Sequence, residues 1–109
     1  MPPAPIDLDH LSRYVFGDKA LLAEVLGIFR DEAAQISARM TPAMDDDAWR
    51  LAAHKLKGAA RGIGAFALAD AAERAEHAAA DERAAALSLI VDLARAAADY
   101  AGDVMRDAA

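Results

Sequence analysis

No stretch of this chain alternates apolar and polar residues, whereas several long stretches repeat an apolar residue at every third or fourth position. A period of about 3.6 residues lines such side chains up on one side of an α-helix, and a period of two would line them up on one face of a strand. The chain is therefore expected to be built from helices alone.

Capping residues divide it. Three prolines before Ile6 cannot continue a helix, so residues 1–6 are expected to form an extended or disordered lead-in. Asp7 can cap a short helix over about residues 8–15, which Gly17 ends. Asp18 can cap a longer one whose inner side carries Leu22, Val25, Leu26, Phe29, Ala33, Ile36 and Met40, and Thr41-Pro42 stops it. Asp45-Asp46-Asp47 puts negative charge where a helix N-terminus favours it. A third helix is expected from there to about Gly62, with Ala48, Ala52, Leu56, Ala59 and Ile63 inward and Gly62 and Gly64 as turn residues. A fourth should span about Ala65 to Ala79 with Phe66, Leu68, Ala72, Ala75 and Ala79 inward. Asp81 should cap the last, which carries Leu87, Ile90, Val91, Ala94, Ala97, Ala101, Val104 and Met105 at helical spacing.

Four longer helices joined by short connections predict an all-α, up-down-up-down four-helix bundle with an additional short N-terminal helix packed across it. A length of 109 residues suits one domain with its own core, so residues 1–109 read as a single helical domain. Much of the apolar content is alanine, so the core must come from close approach of helices rather than from large side chains.

Composition removes several functions. Without cysteine there is no disulfide and no thiolate metal site. A net charge of −6 argues against nucleic-acid binding through a broad basic face. No segment approaches the roughly 20 apolar residues that span a bilayer, and neither a signal peptide nor a long basic amphipathic helix is present, so a cytoplasmic location is expected. Within this acidic chain no acid occurs between Asp47 and Asp70, where Arg50, Lys55, Lys57 and Arg61 all fall.

His54 stands in that basic stretch. At about 100° per residue the expected inward positions 48, 52, 56, 59 and 63 fill a sector of about 80°, and His54 falls almost opposite its centre. It is expected to face solvent in one stripe with Arg50, Lys57, Gly58 and Arg61. A lone helical histidine is most often an ordinary surface residue. Two neighbours argue for more. Gly58 costs about 1 kcal/mol relative to alanine inside a helix, and its missing side chain leaves room one turn from the imidazole. Lys57 can pair with an anion carried on or near His54. Histidine is nucleophilic at neutral pH, and a transferred phosphoryl group fits these neighbours: the ring nitrogen takes it, the lysine screens it, and the glycine admits donor and acceptor.

These residues resemble the histidine-containing phosphotransfer (HPt) family. Its pattern, His-x-Leu-Lys-Gly followed by two small residues and then by an apolar residue with Gly-Ala, is met by His54-Lys55-Leu56-Lys57-Gly58-Ala59-Ala60 and by Ile63-Gly64-Ala65. Leu68 and Glu76 stand where the family places an apolar residue and an acid on the next helix, and Leu21-Leu22 to Phe29-Arg30-Asp31-Glu32 resembles its preceding long helix. Ala71, Ala72 and Ala75 are smaller than the residues usual in the fourth helix. The resemblance implies a phosphorelay carrier. His54 would accept a phosphoryl group from a receiver-domain aspartate or a sensor or hybrid histidine kinase and pass it to a response-regulator receiver. Lys57 would stabilise its charge and Gly58 would give clearance. The resemblance further implies a monomer without kinase activity and without a cofactor of its own, the receiver supplying Mg2+. No glycine-rich nucleotide loop followed by Lys and Ser/Thr occurs in the chain. Arg50, Lys55 and Arg61 would attract the receiver's acidic site, and Leu51, Leu21 and Ile28 would add apolar contact unless they are edge-of-core residues.

Three other readings stand beside this one. A metal site would need ligands from His10, His54 and His77, no two of which have i, i+3 or i, i+4 spacing. A histidine-kinase dimerisation domain would carry an acid after the histidine and a nearby proline, whereas Lys55 follows His54 and no proline follows Pro42. A helical adaptor that is never phosphorylated could use the same face to bind a signalling partner.

Overall fold

Asp7, Asp18 and Asp45 each accept a hydrogen bond from the backbone N–H three residues on, at 3.1, 3.0 and 2.8 Å. These caps open the first three helices of the computed structural model, which describes residues 4–107: α1 (Leu8–Tyr14), α2 (Lys19–Arg39) and α3 (Asp46–Ile63). α4 (Phe66–Glu76) follows after a two-residue turn, and a 3₁₀ turn at Ala80–Glu82 leads into α5 (Arg83–Asp107). α2, α3, α4 and α5 pack in a ring, each against its two neighbours, and the short connections make successive helices antiparallel. The result is the all-α bundle with a short N-terminal helix, and no strand occurs among the described residues.

α1 is fastened to the turn between α3 and α4. Asp7 N–H donates to the Gly64 carbonyl at 2.9 Å, and Ile6, Leu11 and Val15 are buried in the common core. Ile6, the last residue of the expected lead-in, is non-helical and belongs to the core; residues 1–3 lie outside those described. Gly64 is left-handed at φ +86°, and a Cβ there would come within 3.0 Å of the Asp7 carbonyl oxygen. Only glycine meets both demands, so α3 can end here while α1 crosses it closely. Gly62, expected in the turn, lies inside α3 instead.

The inward side of α3 differs from expectation. Trp49, Ala53, Leu56, Ala60 and Ile63 are buried, while Ala48, Ala52 and Ala59 are only partly covered. At about 100° per residue this turns the buried face by about 60°. The cause is Trp49: an aromatic side chain buries roughly 150–250 Å², several times what an alanine methyl offers, so the helix turns to bury the ring. Trp49 Nε1 donates to the Ala75 carbonyl at 2.7 Å, and the buried guanidinium of Arg83 lies 5.2 Å from the indole centroid. Arg83 also donates to the Met44 carbonyl at 3.1 Å and to Asp46 at 2.5 Å. One aromatic and one arginine therefore join the start of α3 to the end of α4 and the start of α5.

α2 and α5 bury the sides their periodicity marks: Leu26, Phe29 and Ala33 on one, Ile90, Ala94, Ala97 and Ala101 on the other. α4 departs from expectation at both ends. Phe66 is exposed and lies edge-on to His10, with ring centroids 5.4 Å apart, because the space beneath the first turn of α4 is filled by Leu68 and Ala69. Ala79 lies outside the helix and is exposed, since α4 ends at Glu76 in a tight turn where His77 N–H donates to Arg74 O. Asp81 is not the cap of α5; Glu82 accepts from Ala79 N–H at 2.9 Å, and the 3₁₀ turn so formed runs directly into the helix.

Candidate functional site

With α3 turned as observed, His54 points about 140° and Lys57 about 80° from the centre of the buried face. The imidazole is therefore outward, with its side chain 62% exposed, while Lys57 sits at the seam with α4 at 17%. Across that seam the last residue of α4, Glu76, is 16% exposed and presents both carboxylate oxygens to α3. Oε1 lies 3.0 Å from His54 Nδ1 and Oε2 lies 3.0 Å from Lys57 Nζ. Three residues from two helices thus form one constellation.

The Lys57 hydrogen bond, helped by that of His54 and opposed by burial, holds the Glu76 carboxyl below its ordinary 4.5. Glu76 is thus ionised at neutral pH and can only accept. Nδ1 must then carry the shared hydrogen, and a neutral ring keeps its lone pair on Nε2. The arrangement leaves the Nε2 lone pair free on a largely exposed ring held by a carboxylate, the form in which an imidazole can act as a nucleophile. Beside it, a Cβ built at Gly58 meets nothing within 4 Å, so this turn of α3 is open to an incoming group.

The basic stretch is less free than its composition implies. Lys57 pairs with Glu76, Arg61 with Glu73 at 3.6 Å and Arg50 with Asp47 at 3.4 Å, leaving Lys55 as the cation of the four that makes no salt bridge among the described residues. The acid-free segment of α3 is answered by acids of α4 one turn apart. Lys57 accordingly does not stand free in the solvent-facing stripe expected for it; its ammonium is already engaged at the seam. Leu51, Leu21 and Ile28 are exposed, so none of the three is a covered edge-of-core residue. Ile28 lines a shallow groove between α2 and α3, whereas Leu51 lies on α3 before His54.

Glu76 is the member of this constellation whose contacts residue-by-residue reading missed. Glu73 and Glu76, spaced i, i+3 opposite a helix with no acid after Asp47, were the available signal. His10 is half-buried against Phe66, and His77 is exposed at the end of α4. Among the described residues no group of three His, Asp or Glu side chains could hold a metal ion, and no helix is long and apolar enough to cross a membrane.

A family model for the Hpt domain matches residues 24–103. The chain belongs to the Hpt domain family. No curated protein and no solved structure gives a significant match. Hpt domains are phosphocarriers of phosphorelays rather than kinases, and they interact there with receiver domains and kinases. The match takes in α3, α4 and most of α2 and α5, and it begins after α1 and the turn that follows it.

Proposed function

We propose that this Hpt protein carries a phosphoryl group on Nε2 of His54. The Nε2 lone pair attacks the phosphorus of a receiver's aspartyl phosphate. The N–P bond forms as the bond from phosphorus to the aspartyl oxygen breaks, and the aspartate leaves as a carboxylate. Nδ1 keeps its hydrogen, so the ring becomes cationic while it is phosphorylated, and the Glu76 carboxylate 3.0 Å away stabilises that charge without taking the proton. In the return step an aspartate oxygen of the next receiver attacks phosphorus, and the electron pair goes back to Nε2.

Lys57 holds the second oxygen of Glu76 and brings a positive charge within one turn of the phosphoryl group. Gly58 leaves the in-line approach clear for each partner. Arg50, Leu51, Lys55, Arg61, Leu21 and Ile28 are the candidate partner contacts; of these three cations Lys55 makes no salt bridge among the described residues and is free to steer an acidic receiver pocket. The chemistry asks no cofactor of this chain, Mg2+ being the receiver's contribution.

One observation carries this reading: the hydrogen bond that His54 Nδ1–H donates to Glu76 Oε1, which leaves the Nε2 lone pair free. Incubation with a phosphorylated receiver should leave an acid-labile, alkali-stable phosphate on the protein that is absent from His54→Gln. Label retained by the mutant would refute the assignment.

A further inference from the structure

α4 ends on Glu76, and nothing in its own sequence fixes that end. Glu76-His77-Ala78-Ala79 holds no glycine to close the helix in a left-handed turn, and His77 has a negative φ of −103°. A carboxylate in the last turn also meets the negative end of the helix dipole, so Glu76 weakens the turn that carries it. Helix ends fray unless tertiary contacts hold them. Yet Glu76 must stay within hydrogen-bond reach of His54 Nδ1 if the ring is to keep its lone pair on Nε2.

The hold comes from beneath. Trp49 is fully buried, and its Nε1–H donates to the carbonyl of Ala75, the residue before Glu76, at 2.7 Å. That carbonyl also accepts from Ala78 N–H at 3.1 Å, so the indole grips the point where the chain leaves the helix. Trp49 lies five residues before His54, about 7.5 Å along the axis of α3 at about 1.5 Å per residue. One helix thus holds the end of α4 twice, with the indole from the core side and with His54 and Lys57 from the outer side.

Arg83 in turn fixes the indole. Its guanidinium lies 5.2 Å from the ring centroid and donates to the Met44 carbonyl and to Asp46. Its Nε is buried without a hydrogen-bond partner. An apolar side chain would fill this place without that cost. What the guanidinium adds is direction, because it ties the ring to the chain entering α3 and so keeps the indole N–H toward Ala75. We infer that Trp49, locked by Arg83, is a positioning residue for phosphotransfer: it keeps the last turn of α4 in place and thereby keeps the Glu76 carboxylate on Nδ1 of His54. The inference rests on the phosphocarrier reading of His54.

The test measures single-turnover transfer to the full chain from whichever phosphorylated receiver of a panel transfers fastest, for wild type, Trp49→Phe, Glu76→Gln and the double variant. Trp49→Phe should lower the rate at saturating receiver about fivefold, the worth of one buried hydrogen bond, with the half-saturating concentration unchanged. The imidazole ¹⁵N shifts of His54 should move from one tautomer toward a mixture. In the Glu76→Gln background the same substitution should change the rate by less than about twofold, because the group it positions is already lost. Arg83→Met, which leaves the indole in place, should slow transfer about twofold and show the same dependence on Glu76, and it serves if Trp49→Phe does not fold. Leu26→Ala, a core truncation on α2, should leave rate and tautomer at wild-type values. Equal slowing by Trp49→Phe in both backgrounds, equal slowing by Leu26→Ala, or a wild-type rate and tautomer in Trp49→Phe would overturn the positioning role alone. Failure of phosphoramidate, which needs no docking, to label His54 in wild type would overturn the carrier reading, while the tautomer shift would still report whether Trp49 positions Glu76.

Discussion

Oε1 of Glu76 lies 3.0 Å from Nδ1 of His54, joining the last residue of α4 to the middle of α3. This contact decides which ring nitrogen is free. Glu76→Gln keeps the shape of the side chain but offers an amide that can donate as well as accept, so it no longer demands hydrogen on Nδ1. Phosphotransfer should fall by about tenfold or more, as expected when a charge-assisted hydrogen bond to the reacting ring is lost. Imidazole ¹⁵N shifts should change from one tautomer in the wild type to a mixture in the variant. A single tautomer retained at full rate would exclude the orienting role.

The same carboxylate has a pH signature. Its folded pKa is lowered below 4.5, chiefly by the hydrogen bond from Lys57. A depressed carboxylate contributes stability that is fully present above the unfolded pKa and is lost as pH falls through the folded value. The stability difference between wild type and Glu76→Gln should therefore be constant from neutral pH down to about 5 and shrink below the ordinary carboxylate range. Denaturant midpoints measured for both proteins between pH 3 and 7 check this; a difference that grows on acidification would contradict it.

Gly58 separates stability from access. Because a Cβ there meets nothing, Gly58→Ala should stabilise the fold by about 0.4–1 kcal/mol, through the helix and the unfolded chain alike. Gly58→Trp should remain folded yet slow receiver-dependent transfer strongly. Unimpaired transfer in the tryptophan variant would remove the clearance role.

Lys57 is largely covered, so its replacement removes a packed hydrocarbon stem as well as a charge. Lys57→Met keeps the stem and should slow single-turnover transfer while leaving the thermal midpoint within a few degrees of wild type. Glu76 loses its strongest partner in this variant, and its pKa should rise toward the ordinary value. An unaltered transfer rate would show that the lysine is structural only.

Trp49 is the single tryptophan, and its Nε1–H reaches the Ala75 carbonyl at 2.7 Å. Trp49→Phe gives up that hydrogen bond and the Arg83 stacking and leaves a partly filled space, so it should destabilise the domain by about 1–3 kcal/mol. Circular dichroism on urea titration would measure the change. Receiver specificity should not move, because this ring lies beneath the seam and not on the docking face.

The residues that begin and end α1, α2 and α3 were legible in the sequence, because Asp7, Asp18, Asp45 and Gly64 act on backbone groups within a few positions of themselves. The inward sides of α2 and α5 were legible for a similar reason: their apolar residues are large or numerous enough to define a face without help. α3 was harder to read. Its alanines offered one face and Trp49 another, and only the space between α4 and Arg83 decides that the indole goes inside. Phe66 was misread in the same way, since whether an apolar residue at a helix end is covered depends on what passes over it.

By itself, then, the sequence determined an all-helical chain, most of its boundaries, an outward His54 with an open Gly58 one turn away, and a motif shared with the Hpt family. Tertiary structure alone decided that Glu76 clasps both His54 and Lys57, and that two of the four cations of the basic stretch, Lys57 and Arg61, are paired from α4. The division has a physical cause. Caps and helical period come from interactions within one or two turns, whereas the protonated nitrogen of His54 and the pairing of Lys57 depend on a side chain 22 and 19 positions away, brought near only when α3 and α4 pack together.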